Sequence, residues 1–135
     1  MPAETPIPAL PKDFLRPCLL LLLREEPAHG YDLLERAQAL GFDGSDPGGL
    51  YRTLRRLENE GLVRSAWEPS ESGPRRRIYE ISRTGMEKLH QRAKALAAGQ
   101  ETVFAFLSRY QEFVALKPAG GSGDRTAGSK STPVR

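Results

Sequence analysis

The sequence is poor in the residues that most often carry chemistry. It has one cysteine, Cys18, and two histidines, His29 and His90, which lie far apart in the chain. An internal disulfide is therefore impossible, and no Cys/His cluster has the spacing of a zinc site. Cys18 stands among leucines and reads as a small buried apolar residue, a redox sensor being the alternative. No nucleophile motif is present and no Gly-rich phosphate loop follows a strand, so catalytic, metal and cofactor sites are not expected. Long hydrophobic runs are also missing. The longest, Cys18 to Leu23, is stopped by Arg24, Glu25 and Glu26, far short of the ~20 residues that cross a bilayer. Asp13 precedes this run where a secretory signal would carry positive charge. The chain is expected to stay in the cytoplasm and off the membrane. Charge of one sign is not dominant either: 20 Lys and Arg stand against 17 Asp and Glu, a net +3, which does not by itself distinguish a nucleic-acid binder.

What is present is the content of one domain with tails: 135 residues, 39% hydrophobic. Residues 1–11 contain Pro2, Pro6, Pro8 and Pro11 and read as an extended arm, either touching a partner or merely irregular. Phe14 to Glu25 has the apolar density of a buried helix, with Pro17 tolerated in its first turn and Pro27 ending it. Tyr31 to Leu40 reads as a second helix with Tyr31, Leu34, Ala37 and Gln38 at helical spacing and Gly41 as its stop. Asp46-Pro47 starts a third helix, because Asp accepts bonds from first-turn amides and Pro is shaped for the first helical position. Gly61 stops it. Leu62 to Glu68 and Arg75 to Ile81 then flank a turn-forming stretch, Pro69 to Pro74, and form a hairpin. Arg83 to about Leu116 is helical throughout, and residues 118–135 collapse to a Gly, Ser, Thr, Lys and Pro composition expected to be disordered.

The order helix, helix, helix, hairpin, long helix is that of a winged helix-turn-helix (residues 12–82) with an appended helical segment (residues 83–117). On a wheel at 100° per residue with Tyr51 at zero, Leu50, Leu54 and Leu57 of the third helix fall at about 240° to 300° and face the core. Tyr51, Arg52, Arg55, Arg56 and Asn59 fall between about 0° and 140° on the same wheel. Such a basic, hydrogen-bonding face suits entry into a major groove, where guanidinium forks match guanine or straddle phosphates and amides read adenine. Alone it would fit any solvated helix. The second cluster, Arg75, Arg76 and Arg77 on the hairpin, tips the balance, since successive strand residues alternate faces and at least one must point toward whatever the third helix touches. Between Leu50 and Arg92 ten Lys or Arg oppose six Asp or Glu, so the excess charge is concentrated here. Other residues keep two readings. Tyr51 contacts a phosphate or packs beside the wing. Gly48 and Gly49 either admit a phosphate to the helix start or relieve crowding in the turn. Tyr79 reads as core, and His29 as the residue that leads into the second helix.

His29-Gly30-Tyr31-Asp32-Leu33-Leu34, Gly49-Leu50-Tyr51-Arg52-Thr53-Leu54-Arg55-Arg56-Leu57-Glu58, Glu60-Gly61-Leu62-Val63, Gly73-Pro74-Arg75-Arg76-Arg77-Ile78-Tyr79 and Thr84-Gly85 together resemble the PadR family of transcriptional regulators over about residues 14–92. The resemblance implies a mostly α fold with a small β-hairpin wing, operator binding as a dimer, and repression. Leu15-Arg16-Pro17, Asp46-Pro47 and Arg52 after Tyr51 are similar to the subgroup of polyhydroxybutyrate-responsive repressors. Arg52 stands where many members carry proline. Members that bind flat drugs often use a tryptophan on the C-terminal helix, whereas the single tryptophan here, Trp67, lies on a wing strand.

Along the last helix Met86, Leu89, Ala93, Leu96, Gln100, Val103, Leu107, Tyr110 and Val114 recur alternately three and four apart, a heptad seam. A homodimer contact through Met86, Leu89, Leu96, Val103, Leu107, Tyr110 and Val114 is expected, with the alternative that the helix folds onto its own domain. Gly99 and Gln100 interrupt the seam, and a bend or division is expected there. The sequence thus points to a double-stranded-DNA-binding regulator, with an unknown small molecule or protein as effector. The competing reading is a winged-helix module for protein contact.

Overall fold

The computed structural model describes residues 9–43, 46–69 and 73–116. The expected disordered tail, residues 1–8 of the arm, and 70–72 of the wing loop lie outside them. The elements run α1 (Leu15–Glu25), β1 (Ala28–His29), α2 (Gly30–Ala39), α3 (Pro47–Asn59), β2 (Val63–Glu68), β3 (Arg76–Ile81) and α4 (Arg83–Leu116). They fall into two units, residues 1–94 and 95–135, whose boundary lies within α4.

In the first unit three helices and a small sheet enclose one core. The leucine run of α1 supplies Leu19, Leu20, Leu22 and Leu23, α2 supplies Leu33 and Ala37, α3 supplies Leu50, Leu54 and Leu57, and the wing supplies Leu62 and Val63. Fully burying each such leucine contributes about 1.5–3 kcal/mol, so this stripe-on-stripe contact holds the unit together. Cys18 is buried, and desolvation pushes its thiol up, which leaves it in the inert protonated form. Arg16 at the start of α1 reaches Glu60 at the end of α3 with both terminal guanidinium nitrogens, an exposed ion pair across two helix ends.

The sheet has three antiparallel strands in the order β1-β3-β2. Ala28 and His29 pair with Tyr79 and Ile78, so a two-residue strand before α2 extends the expected hairpin. In α2 the buried stripe is Gly30, Leu33 and Ala37, with Leu34 packed at its edge, while Tyr31 is 63% exposed. Tyr31 and Gln38, at helical spacing with Leu34 and Ala37, are both exposed and lie outside the buried stripe. Taking Tyr31 as zero, Gly30, Leu33 and Ala37 cluster at about 200° to 260°, which leaves the tyrosine on the solvent side. Gly30 is buried because the ring of Tyr51 occupies the space where a Cβ would stand.

The wing returns to α4 through Ser82, which is 9% exposed. Its Oγ accepts from the Gly85 amide at 3.0 Å, capping α4, and donates to the Gly61 carbonyl at 2.6 Å. Gly85 can be nothing larger, since a Cβ there would collide with the Leu62 carbonyl. The expected division at Gly99 is not found: α4 is a single 34-residue helix. A helical glycine costs about 1 kcal/mol relative to alanine, and the Ala97-Ala98 step beside it favours continuation.

Candidate nucleic-acid interface

α3 begins where the sequence indicates. The Asp46 carboxylate accepts from the Gly49 amide at 3.0 Å and Pro47 takes the first helical position. A Cβ at Gly49 would meet the end of that exposed carboxylate, which would have to shift. A carboxylate of the chain itself thus lies at the positive end of α3.

With Leu50, Leu54 and Leu57 buried, the opposite side of α3 presents Tyr51, Arg52, Arg55, Arg56 and Asn59, all exposed. Arg52 lies 3.8 Å from Asp46. Among the described residues Arg55 and Arg56 have no hydrogen-bond or ion-pair partner, so their donors remain available to a ligand. Tyr51 is 40% exposed with its ring against Gly30. It thus packs on the start of α2, a contact between the two readings open from sequence.

The wing sorts its three arginines. Val63, Ser65 and Trp67 alternate along β2, and Val63 is in the core, so this is the face turned to α3. Across the ladder Trp67 pairs with Arg77 and Ser65 with Tyr79. Arg77 donates from Nε to Ser65 Oγ at 2.7 Å, Ser65 donates on to Glu58 of α3 at 2.6 Å, and Arg77 lies 3.8 Å from the same carboxylate. Arg75 and Arg77 both lie over the Trp67 ring, at 5.8 and 5.1 Å from its centre. Arg76 pairs with Glu68 in register and falls on the opposite face. Arg75 and Arg77 are thus brought to the α3 side, and Arg76 is not.

Tyr79 fills the space between wing and helix, packed against the core. Burial raises its hydroxyl above the ordinary tyrosine value, the charge of Arg77 opposing the shift. On the far side of the sheet His29 bridges two carboxylates, with Nδ1 3.2 Å from Asp32 and Nε2 2.8 Å from Glu68. His29 precedes α2 and forms its capping box with Asp32, as its place in the sequence suggested, and it also ties β2 to that helix. Spacing could not show the second contact, because 39 residues separate the partners.

The residues expected on the dimer seam divide between the units. Met86 is half-buried and Leu89 packs against the core of its own domain, so Leu89 is already covered within the chain. In the second unit Leu96 is half-buried, while Val103, Leu107, Tyr110 and Val114 are 44–55% exposed. Phe104, Phe106 and Phe113 are exposed as well. The heptad template passed over them because it selects only a narrow stripe. Among the described residues no helix is long and apolar enough to cross a membrane, and no group of three or more His, Cys, Asp or Glu could hold a metal ion.

Comparison with known proteins places this architecture. The family model described as the transcriptional regulator PadR-like family matches residues 19–91, which span α1 to the first third of α4. The chain belongs to the PadR-like family of transcriptional regulators. A PadR-like transcriptional regulator from Bacillus cereus is similar, at 29% identity and a TM-score of 0.64, over 71% of this chain and 93% of that one. A PadR family transcriptional regulator from Eggerthella lenta shares 29% identity with a TM-score of 0.58, over 69% and 85% of the two chains. Bacillus subtilis PadR, solved in complex with operator DNA, shares the fold at 23% identity and a TM-score of 0.52, over 57% of this chain and 45% of that one. No curated protein sequence gives a match. Within the PadR-like fold, the α3 arginines and the wing arginines belong to the two elements that the Glu58–Ser65–Arg77 link holds together.

Proposed function

We propose that this PadR-like protein is a cytoplasmic repressor that binds double-stranded DNA as a homodimer on a pseudo-palindromic operator. The observation that carries the reading is the shared surface of α3 and the wing. Among the described residues Arg55 and Arg56 make no hydrogen bond or ion pair on the face opposite the core leucines, and Glu58, Ser65 and Arg77 fix the wing beside them. The unpaired guanidiniums of α3 keep their donors for phosphates or guanine edges, and the held Arg77 loses less entropy on meeting them. DNA contact through Tyr51, Arg52, Arg55, Arg56, Asn59, Arg75 and Arg77 follows, with Arg76 reaching the backbone only from the other side of the wing.

The exposed apolar residues of α4 support the dimer. Val103, Phe106, Leu107, Tyr110 and Val114 lie on one arc of the helix, a stripe too apolar to be left in water. A two-fold dimer presents two α3 helices to one side of the duplex, with half-sites about one helical turn apart. Sedimentation at micromolar concentration and footprinting on a selected site test this directly. A dimer with a symmetric footprint is expected, and a monomer with an asymmetric footprint contradicts it.

The finer likeness, to polyhydroxybutyrate-responsive repressors, rests on Leu15-Arg16-Pro17, Asp46-Pro47 and Arg52. Two of these residues have structural partners, Arg16 with Glu60 and Arg52 with Asp46. Release of bound duplex by polyhydroxybutyrate granules, but not by inert polymer beads, is the expected result. Unchanged binding removes that effector.

A further inference from the structure

The single tryptophan has no part in the reading so far, and its surroundings are unusual for a surface residue. Trp67 is 52% exposed near the outer end of β2, on the sheet face that carries Val63 and Ser65 toward α3. Isolated exposed apolar side chains are common and need no explanation. Two guanidiniums over one exposed indole are a different matter. Arg77 of the neighbouring strand and Arg75 just before it lie 5.1 and 5.8 Å from the ring centre. Arginine can lie against an aromatic ring and still donate N–H bonds to an anion; here the Nε of Arg77 is already used on Ser65, which leaves its terminal nitrogens and those of Arg75 for a ligand.

The result is a flat apolar plate flanked by two positive forks. Among the described residues Arg75 has no ion-pair partner, and Arg77 shares Glu58 only at 3.8 Å with 42% of its side chain exposed. The plate is continuous with α3, because Arg77, directly across the ladder from Trp67, is the residue that reaches the helix through Ser65. A ligand complementary to it must offer anionic oxygens on either side of a flat or apolar moiety. The sugar–phosphate backbone of a duplex alternates those two chemistries. An acidic peptide offers the charges without the apolar plane.

We propose that Trp67 is a DNA-contacting residue of the wing, its indole lying against a deoxyribose of the backbone that borders the groove entered by α3, with Arg75 and Arg77 donating to the adjoining phosphates. The proposal rests on the DNA-binding reading above and adds a residue to it. It also gives the two guanidiniums a fixed orientation before DNA arrives, so less entropy is lost on binding.

Because Trp67 is the chain's sole tryptophan, its emission reports this site without any substitution. The full chain is titrated with long mixed-sequence duplex at low ionic strength while tryptophan emission and its quenching by acrylamide are followed, with binding measured separately by anisotropy of labelled duplex. The expected result is a change in emission and protection from acrylamide that saturate together with binding. Trp67→Ala is expected to bind about tenfold more weakly, within the range of a cation–π or stacking contact, and Trp67→Phe to recover most of the loss. Both variants should show unchanged melting and helical content. Binding with emission and acrylamide access unaltered overturns the proposal while leaving the DNA-binding reading intact. Emission that responds to protein concentration or to an acidic peptide, and not to duplex, assigns the indole to a protein contact and also overturns it. Absence of any complex overturns both.

Discussion

Ser82→Ala is the substitution whose cost is most directly worked from the structure. The hydroxyl sits at the only turn between the wing and α4, 9% exposed, and does two things at once. It accepts from the Gly85 amide at 3.0 Å, and it donates to the Gly61 carbonyl at 2.6 Å. Loss of an N-cap of this type costs about 1 kcal/mol. Leaving the Gly61 carbonyl without its donor adds up to about 1 kcal/mol, less than for a deep acceptor because Gly61 is itself exposed. A total of about 2 kcal/mol corresponds to a fall in melting temperature of roughly 10 °C for a domain of this size. Urea unfolding followed by circular dichroism measures it, with Ser82→Thr as the control that keeps the hydroxyl. A loss below about 0.5 kcal/mol would refute the double role, since a cap alone exceeds that on average.

Arg55→Ala is expected to cost about 1 to 3 kcal/mol on a preferred sequence if the side chain reads a base, or a smaller, sequence-independent amount with a shallower salt slope if it holds a phosphate; anisotropy titrations on specific and mixed duplex separate the two. Leu107→Glu places a charge in the exposed apolar arc of α4 and should shift the protein from dimer to monomer in sedimentation, leaving the melting of the winged domain in place. The carboxyls of Asp32 and Glu60 are held below their ordinary values, the first by its hydrogen bond from His29 and the second by that from Arg16. Depressed in the folded state, they contribute stability above the ordinary carboxylate range and lose it as the pH falls below about 4. Both groups are well exposed, so urea midpoints should fall modestly on acidification, and a midpoint that rises instead contradicts the assignment.

Much of the framework is legible in the chain because its punctuation is strong. Asp46-Pro47 and Gly61 bracket α3 within a residue of where it begins and ends, and the leucine spacing of that helix fixes which side is buried. β1 was not legible, since two residues carry no alternation and become a strand only when β3 lies beside them. The spacing of Tyr31, Leu34, Ala37 and Gln38 marked α2 as a helix but not its buried side, which runs through Gly30, Leu33 and Ala37 and leaves Tyr31 exposed. The alternation of Arg75, Arg76 and Arg77 was readable, but not its phase. That required knowing that Val63 is buried, which places Ser65, Trp67 and Arg77 on the side of α3. The Glu58–Ser65–Arg77 link and the His29–Glu68 contact join distant parts of the chain and leave no trace in local spacing. Gly99 misled in the other direction, because one glycine between strong helix formers lowers helical stability without ending the helix.

Operator binding as proposed requires α3 and the wing to form one surface that fits a duplex. Anisotropy titration of the full chain with long mixed-sequence duplex across a series of salt concentrations tests it most directly. The expected result is a complex whose log affinity falls linearly with log salt, with a slope reflecting several released counterions. No complex at low ionic strength, or an affinity indifferent to salt, contradicts it.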